Sequence, residues 1–463
     1  MYRQPAICTE LQARFVAQDH GSSRTMTGTD RRAFLTGTGS AFAALLASGC
    51  VTRQQGISGS LSASPYGTLR PDPGGFLDLP EGFSYRVISK LGNAMSDGGN
   101  VPDRADGMGC FDLGNGKIAL VRNHELKVQH APGGDLSSGF DRSENGAVLP
   151  GGTTTLVLDA ATLSLEREYR SLAGTIRNCA GGVTPWGSWL TCEEDMTRAG
   201  EGVQRDHGWV FEVPADGQGL ADHVPLKAMG RFNHEAAAVD PATGIVYLTE
   251  DRSDGLLYRF IPDKRGVLSA GGRLQALVAE GIADSRNWST IDFTPGITLQ
   301  ASWIDVDNVE SPADDLRQRG AAGGATIFAR GEGIHMGDGE LYFCCSSGGG
   351  AKLGQVFRIK PRENEGDALE LFFESTSADQ FNYGDNLTVS PNGHLIVCED
   401  QYTAIVDNHL RGISPDGRAY TFARLRAQTE PAGACWSPDG KVLFVNAYSP
   451  TVTLAITGPW AKS

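Results

Sequence analysis

The sequence predicts an all-β protein, a β-propeller with inserted loops, and three observations carry that expectation. Sixty glycines and 22 prolines in 463 residues favour many short strands and turns over helices. Helical periodicity is sustained nowhere; only residues 314–319, ahead of a glycine-rich stretch at 320–324, read as one short surface helix. Above all, one unit recurs: a polar or charged residue, a short extended run, a turn ending in Gly, an apolar strand of four or five residues, and then often an acid. It runs from Cys179 to the acids Glu193-Glu194-Asp195, and from Asn233-His234-Glu235 through Gly244 to Glu250-Asp251. It returns from Glu332 through Gly339 to Cys344-Cys345, from Asp385-Asn386 through Gly393 to Glu399-Asp400, and from Glu430 through Gly440 to Asn446. Asn123-His124-Glu125, after an apolar run at 118–121, is an earlier variant. A β-sandwich with long loops is the competing architecture, but this many similar hairpins exceed what one sandwich holds.

In chain order, residues 1–50 are a targeting region. Asp30-Arg31-Arg32-Ala33-Phe34-Leu35 is a twin-arginine signature, and the apolar run at 41–46 is too short to span a membrane as a mature helix. The expected partner is the twin-arginine export machinery and the expected location periplasmic or extracellular. Leu46-Ala47-Ser48-Gly49-Cys50 resembles a lipobox, which leaves two alternatives, a lipid anchor on Cys50 or simple cleavage nearby. Met26 would be a more ordinary start than Met1. Residues 51–65 are polar and Ser/Gly-rich, a flexible tether. Residues 66–463 are then the propeller domain, expected to be monomeric.

The segment from Asn178 to Asp195 is the anchor of that domain. Pro185-Trp186-Gly187 supplies turn chemistry between two extended runs, so a hairpin returns Glu193/Glu194 to the side of Cys179. A thiolate beside two carboxylates is costly to bury alone, and a cation would relieve the cost; thiolate plus carboxylate suits a transition metal such as iron better than magnesium. The plain alternative is a structural Cys beside a solvated acidic turn. The repeats favour the metal. In each hairpin the leading polar residue and the trailing acid fall at the same open end, and in a propeller those ends share one channel mouth. Cys179, Glu193, Glu194, Glu235, Glu250, Asp251, Glu332, Asn386, Glu399 and Asp400 are therefore the candidate ligands of a multinuclear metal site. Arg330, two residues before Glu332, points the same way along a strand and could hold a phosphoryl group, although an ordinary surface Arg reads the same way.

A net charge of −15 argues against a nucleic-acid partner. Nine cysteines show neither paired Cys-x-x-Cys zinc spacing nor a disulfide framework.

At these residues the chain resembles the PhoX family of bacterial alkaline phosphatases and its wider relatives. The matching stretches include Asn123-His124-Glu125, Asn178-Cys179, Thr184-Pro185-Trp186-Gly187, Thr191-Cys192-Glu193-Glu194, Asn233-His234-Glu235, Arg330-Gly331-Glu332-Gly333, Asp385-Asn386-Leu387 and Ile456-Thr457-Gly458-Pro459-Trp460. The resemblance implies six blades, twin-arginine export, a site of iron (Fe3+) and calcium (Ca2+) and hydrolysis of phosphomonoesters. It implies Cys179 as an iron ligand, Glu194 and Glu235 as iron or calcium ligands, Glu332 as a further ligand, and Arg330 with Asn123 on the substrate phosphate. The chain departs from the family at Asn446-Ala447-Tyr448-Ser449-Pro450, where relatives tend to carry a Gln-His-Pro-Gly-like run. Two other readings remain: a calcium-dependent propeller hydrolase of the lactonase kind, which would not need Cys179, and a non-catalytic binding propeller.

Overall fold

A computed structural model describes residues 61–362 and 366–460. The twin-arginine signature, the lipobox at Cys50 and most of the tether lie outside those residues. The described chain is all-β and propeller-like, with 26 strands in five hydrogen-bonded sheets. One short α-helix, Leu316–Ala322, begins two residues later than the sequence suggests and runs into the expected glycine-rich loop. Asp314 cannot start it, because its φ of 53° is left-handed.

The expectation of six separate blades is met only in part. Four sheets are distinct: Ala105 to Thr175, Asn178 to Pro214, Gly384 to Leu425 with two N-terminal strands added, and Pro431 to Thr457 closed by Ser84–Lys90. The fifth has nine strands, because Thr298–Asp305 pairs with Asp367–Glu374 and welds two would-be blades into one sheet. Closure of Pro431–Trp436 and its neighbours by Ser84–Lys90 ties the start of the described chain to its end.

Six strands lead the repeating units: Ala105–Gly114, Asn178–Val183, His234–Val239, Gly331–Met336, Gly384–Val389 and Pro431–Trp436. Each packs on the next and the last packs on the first, so they form a closed ring. All six share one irregularity, a register shift of the β-bulge kind within their first few residues. A bulge re-aims the extra residue's side chain and increases local twist. In five of the strands that side chain is Asp106, Cys179, Glu235, Glu332 or Asp385. The next residue is small in four of the five, and the ring needs it to be. A Cβ on Gly107 would lie 2.5 Å from the Ala180 Cα, and one on Gly333 would lie 2.7 Å from the Asn386 Cα.

The second strand of each unit also ends alike. The backbone N–H groups of Glu125, Glu194, Asp251, Ser346, Asp400 and Tyr448 donate to the carbonyls of Arg104, Arg177, Asn233, Arg330, Tyr383 and Glu430, at 2.8–3.2 Å. The residue just before each of those six points the other way, into its own sheet, because side chains alternate along a strand.

That alternation corrects the reading of the acid pairs. Glu193, Glu250 and Glu399 are buried within their sheets and hold loops in place. Glu193 accepts from the N–H groups of Ile176, Gly208 and Trp209 and sits 2.7 Å from His207 Nδ1. Glu250 accepts from Tyr258 Oη and the Leu256 N–H, and Glu399 from Arg411 Nε and the Asn382 N–H.

His207 has Glu193 on one side and Asp141 at 3.2 Å on the other. Burial alone would keep the imidazole neutral, but the two carboxylates outweigh it and push its pKa from 6.5 up to about 9. Its contribution is therefore complete below about pH 6.5 and is lost as pH rises through about 9. His207→Gln is expected to destabilise the protein by about 3 kcal/mol at pH 6. Thermal melts of both proteins from pH 6 to 10 should show the difference shrinking; a constant difference would contradict the charged bridge.

Candidate metal centre

The bulged residues and the strand-end residues face one cavity of about 250 Å³ in the middle of the ring. Asp106, Cys179, Glu235, Glu332 and Asp385 come from the bulges, and Glu125, Glu194, Asp251, Ser346, Asp400 and Tyr448 from the strand ends. Arg177, Arg330, Tyr383, Glu430 and Tyr402 complete the wall. Nine carboxylates thus share the space with two guanidinium groups.

Each arginine precedes its inner strand and clamps the acids beside it. Arg177 binds Glu125 at 2.7 Å and Glu194 at 2.5 Å. Arg330 binds both oxygens of Asp251, at 2.8 and 2.9 Å, and reaches Glu332 at 3.0 Å. Arg104, Arg177, Arg330 and Tyr383 occupy equivalent positions and all have positive φ, between 47° and 59°. Four left-handed non-glycine residues at one repeated position are strain held by the surrounding fold, which is characteristic of functional sites.

The electrostatics of this cavity are unresolved by the protein alone. Burial raises the pKa of Glu235 well above the ordinary carboxylate range, and Glu332, Asp385, Glu194 and Asp106 raise it further. Burial first, then neighbouring acids, do the same to Glu332 and Asp106. Asp385 reaches about 8, through burial and Asp400; Glu194 also reaches about 8, through burial, with Arg177 opposing and Asp251 and Glu125 adding to it. The Cys179 thiol is pushed up by burial and by Asp106, Glu235 and Glu194.

The donor set fits cations. Both carboxylate oxygens of Glu235 and Oδ1 of Asp106 are buried without a hydrogen-bond partner among the described residues, which costs free energy unless something else satisfies them. Ligand atoms of Cys179, Glu194 and Glu235 lie within 4.8 Å of one another, as do those of Glu235, Glu332 and Asp385. Glu235 belongs to both groups, so the two positions are adjacent, and a soft thiolate marks only the first.

Of the residues expected at the site, Cys179, Glu194, Glu235, Asp251, Glu332, Asp400 and Arg330 line the cavity. Glu193, Glu250 and Glu399 do not, for the reason of strand alternation. Asn386 does not either: its side-chain Oδ1 accepts from the Gly433 N–H at 2.5 Å, and its neighbour Asp385 takes the cavity position. Asn123 stands behind the wall. It donates to the carbonyls of Cys179 and Ala180 and accepts from Trp189 Nε1, so it braces the Cys179 bulge rather than presenting itself to a substrate. Sequence reasoning missed Asp106, Glu125, Arg177, Asp385, Glu430 and Tyr448 as members. An available signal was the acid-then-glycine pair Asp106-Gly107, which matches Glu332-Gly333.

Comparison with known proteins follows the same lines. The family model described as alkaline phosphatase PhoX matches residues 64–162 and 152–451. Among solved structures, the PhoX of Pseudomonas fluorescens in complex with vanadate, a transition-state analogue, is 19% identical with a TM-score of 0.67, over 86% of this chain and 98% of that one. At that identity the likeness establishes a shared fold. A gluconolactonase from Xanthomonas campestris is 13% identical over 86% of this chain and 99% of that one, but its TM-score of 0.40 bears no argument. No curated protein matches the chain significantly in sequence.

If cations compensate the acids, their removal should appear as pH-dependent stability. Unfolded, Glu194 and Asp385 titrate near 4.5 and 3.8; folded without metal, both hold protons up to about pH 8. Their contribution is present below about pH 4 and is lost as pH rises through about 8. In chelator the Tm is expected to fall between pH 5 and 8, and restored metal cations to raise it most at pH 8. A Tm indifferent to both would contradict the assignment.

Proposed function

The chain belongs to the alkaline phosphatase PhoX family, and on that premise we propose that it hydrolyses phosphomonoesters at an iron- and calcium-bearing centre in the propeller channel, after export by the twin-arginine pathway. The observation that carries this reading is the cavity: a closed ring of nine carboxylates, one thiol and two arginines, with the oxygens of Glu235 left for a cation. The closed ring of six bulged inner strands supports counting the nine-stranded sheet as two joined blades and the fold as a six-bladed propeller. Arg31-Arg32, before a short apolar run, supports export.

Cys179, Glu194 and Glu235 would hold iron, and Glu235, Glu332 and Asp385 an adjacent cation; Asp106, Asp400 and Glu430 supply further oxygen ligands suited to calcium. Bound there, the cations act as Lewis acids on the phosphoryl oxygens. Arg330 does the part that belongs to the protein. Asp251 and Glu332 hold its Nε and Nη2 and keep the guanidinium charged, so that Nη1 remains to donate to a phosphoryl oxygen. Charge growing on those oxygens in the transition state would strengthen that bond, which is how a fixed donor accelerates the reaction. Burial excludes most water from the acids and strengthens each of these interactions.

Cys179→Ser is expected to lose iron and phosphatase activity together, read by metal content and by hydrolysis of a phosphomonoester. Arg330→Ala should lower kcat/KM roughly 100- to 1000-fold with metal content retained. Full activity in the cysteine variant would overturn the iron assignment and favour a calcium-only hydrolase.

A further inference from the structure

Tyr402 stands out among the residues lining the acidic cavity. The other residues of that wall, Tyr383 and Tyr448 among them, are buried or half-buried, whereas Tyr402 is 63% exposed. Its ring thus stands at the rim of the cavity, where the wall meets solvent. Its hydroxyl lies 3.3 Å from Arg330 Nη2, and the Arg330 guanidinium carbon is 5.4 Å from the centre of its ring. Tyr383 meets it edge-on, with ring centroids 5.3 Å apart at 73°, which fixes its orientation from the protein side. Ile405, three residues on in the same segment, is 79% exposed. Tyr402 and Ile405 thus put apolar surface in water at the rim of a charged site, where a bound apolar group would gain by covering it.

We propose that the Tyr402 ring is the platform for the leaving group, and that the preferred substrates are phosphomonoesters of aromatic alcohols. The inference rests on the phosphatase reading above. A phosphoryl group held by Arg330 Nη1 lies beside the guanidinium on which Tyr402 packs, so the ester oxygen and its substituent leave past the exposed ring. A flat aromatic substituent gains an offset or edge contact there, while a small polar substituent gains little. The hydroxyl has a second part, helping to orient Arg330. The two parts are separable, because the ring alone discriminates between leaving groups.

The test uses the metal-loaded protein and compares phenyl phosphate with glycerol 1-phosphate. The wild type is expected to show the lower KM for phenyl phosphate. Tyr402→Ala should raise that KM roughly 3- to 10-fold and shift the glycerol ester much less, whereas Tyr402→Phe should keep the preference. Calorimetric binding of phenylphosphonate against methylphosphonate gives a readout without turnover, with the same selective loss in Tyr402→Ala. Equal losses for both esters and both phosphonates would overturn the platform and leave Tyr402 only a positioning residue for Arg330. A wild type that hydrolyses neither ester would sink the phosphatase reading, while the phosphonate pair would still decide the platform through binding.

Discussion

Mutual repulsion among buried carboxylates is the constraint on which this structure depends. Nine carboxylates, buried or half-buried, face one cavity, two arginines oppose them, and the Glu235 oxygens have no hydrogen-bond partner among the described residues. A fold does not assemble such a group by accident of packing, since each uncompensated charge costs several kcal/mol when removed from water. The propeller supports it because the cost is spread over six repeating units, each with a bulge on its leading strand and a turned-in residue at the end of its second, and because cations can enter where the acids converge. The two clamps, Arg177 on Glu125 and Glu194 and Arg330 on Asp251 and Glu332, are the protein's own share of the compensation.

The repeat also explains how one geometry yields different chemistry around the ring. The bulge presents a thiol at one place and carboxylates at four others, while the Pro431–Trp436 strand has Gly433 and Ala434 at its shift and supplies no ligand atom there. Glu430 and Tyr448 make up that sector instead, with Tyr448 hydrogen-bonded to Glu125. Sulfur on one side and oxygen alone elsewhere separates a position suited to iron from positions suited to calcium.

Much of this was legible in the sequence, and the limits were physical. The hairpin between Asn178 and Glu193 and the repeated acid-ended strands gave the propeller and seven of the sixteen residues of the wall. What the linear pattern could not show was which acid of a pair faces the cavity. Glu193 and Glu194 are equivalent by composition, but a one-residue offset sends one into its sheet and the other to the site. The bulges were equally hidden, because an extra residue in a strand leaves no periodic mark; Asp385 was therefore passed over for Asn386. Asp106 and Glu125 were missed because their unit begins at Ala105, before the clearest repeats. The nine-stranded sheet depends on Thr298–Asp305, whose pairing partner Asp367–Glu374 lies some 70 residues away.

The most direct test of the account is elemental analysis by mass spectrometry of the purified full-length protein. Iron together with calcium, in fixed ratio to protein and totalling more than one cation per chain, is the predicted result. A folded sample carrying neither metal would contradict the central claim, since the acids of the ring would then have to be held by protons and two arginines alone.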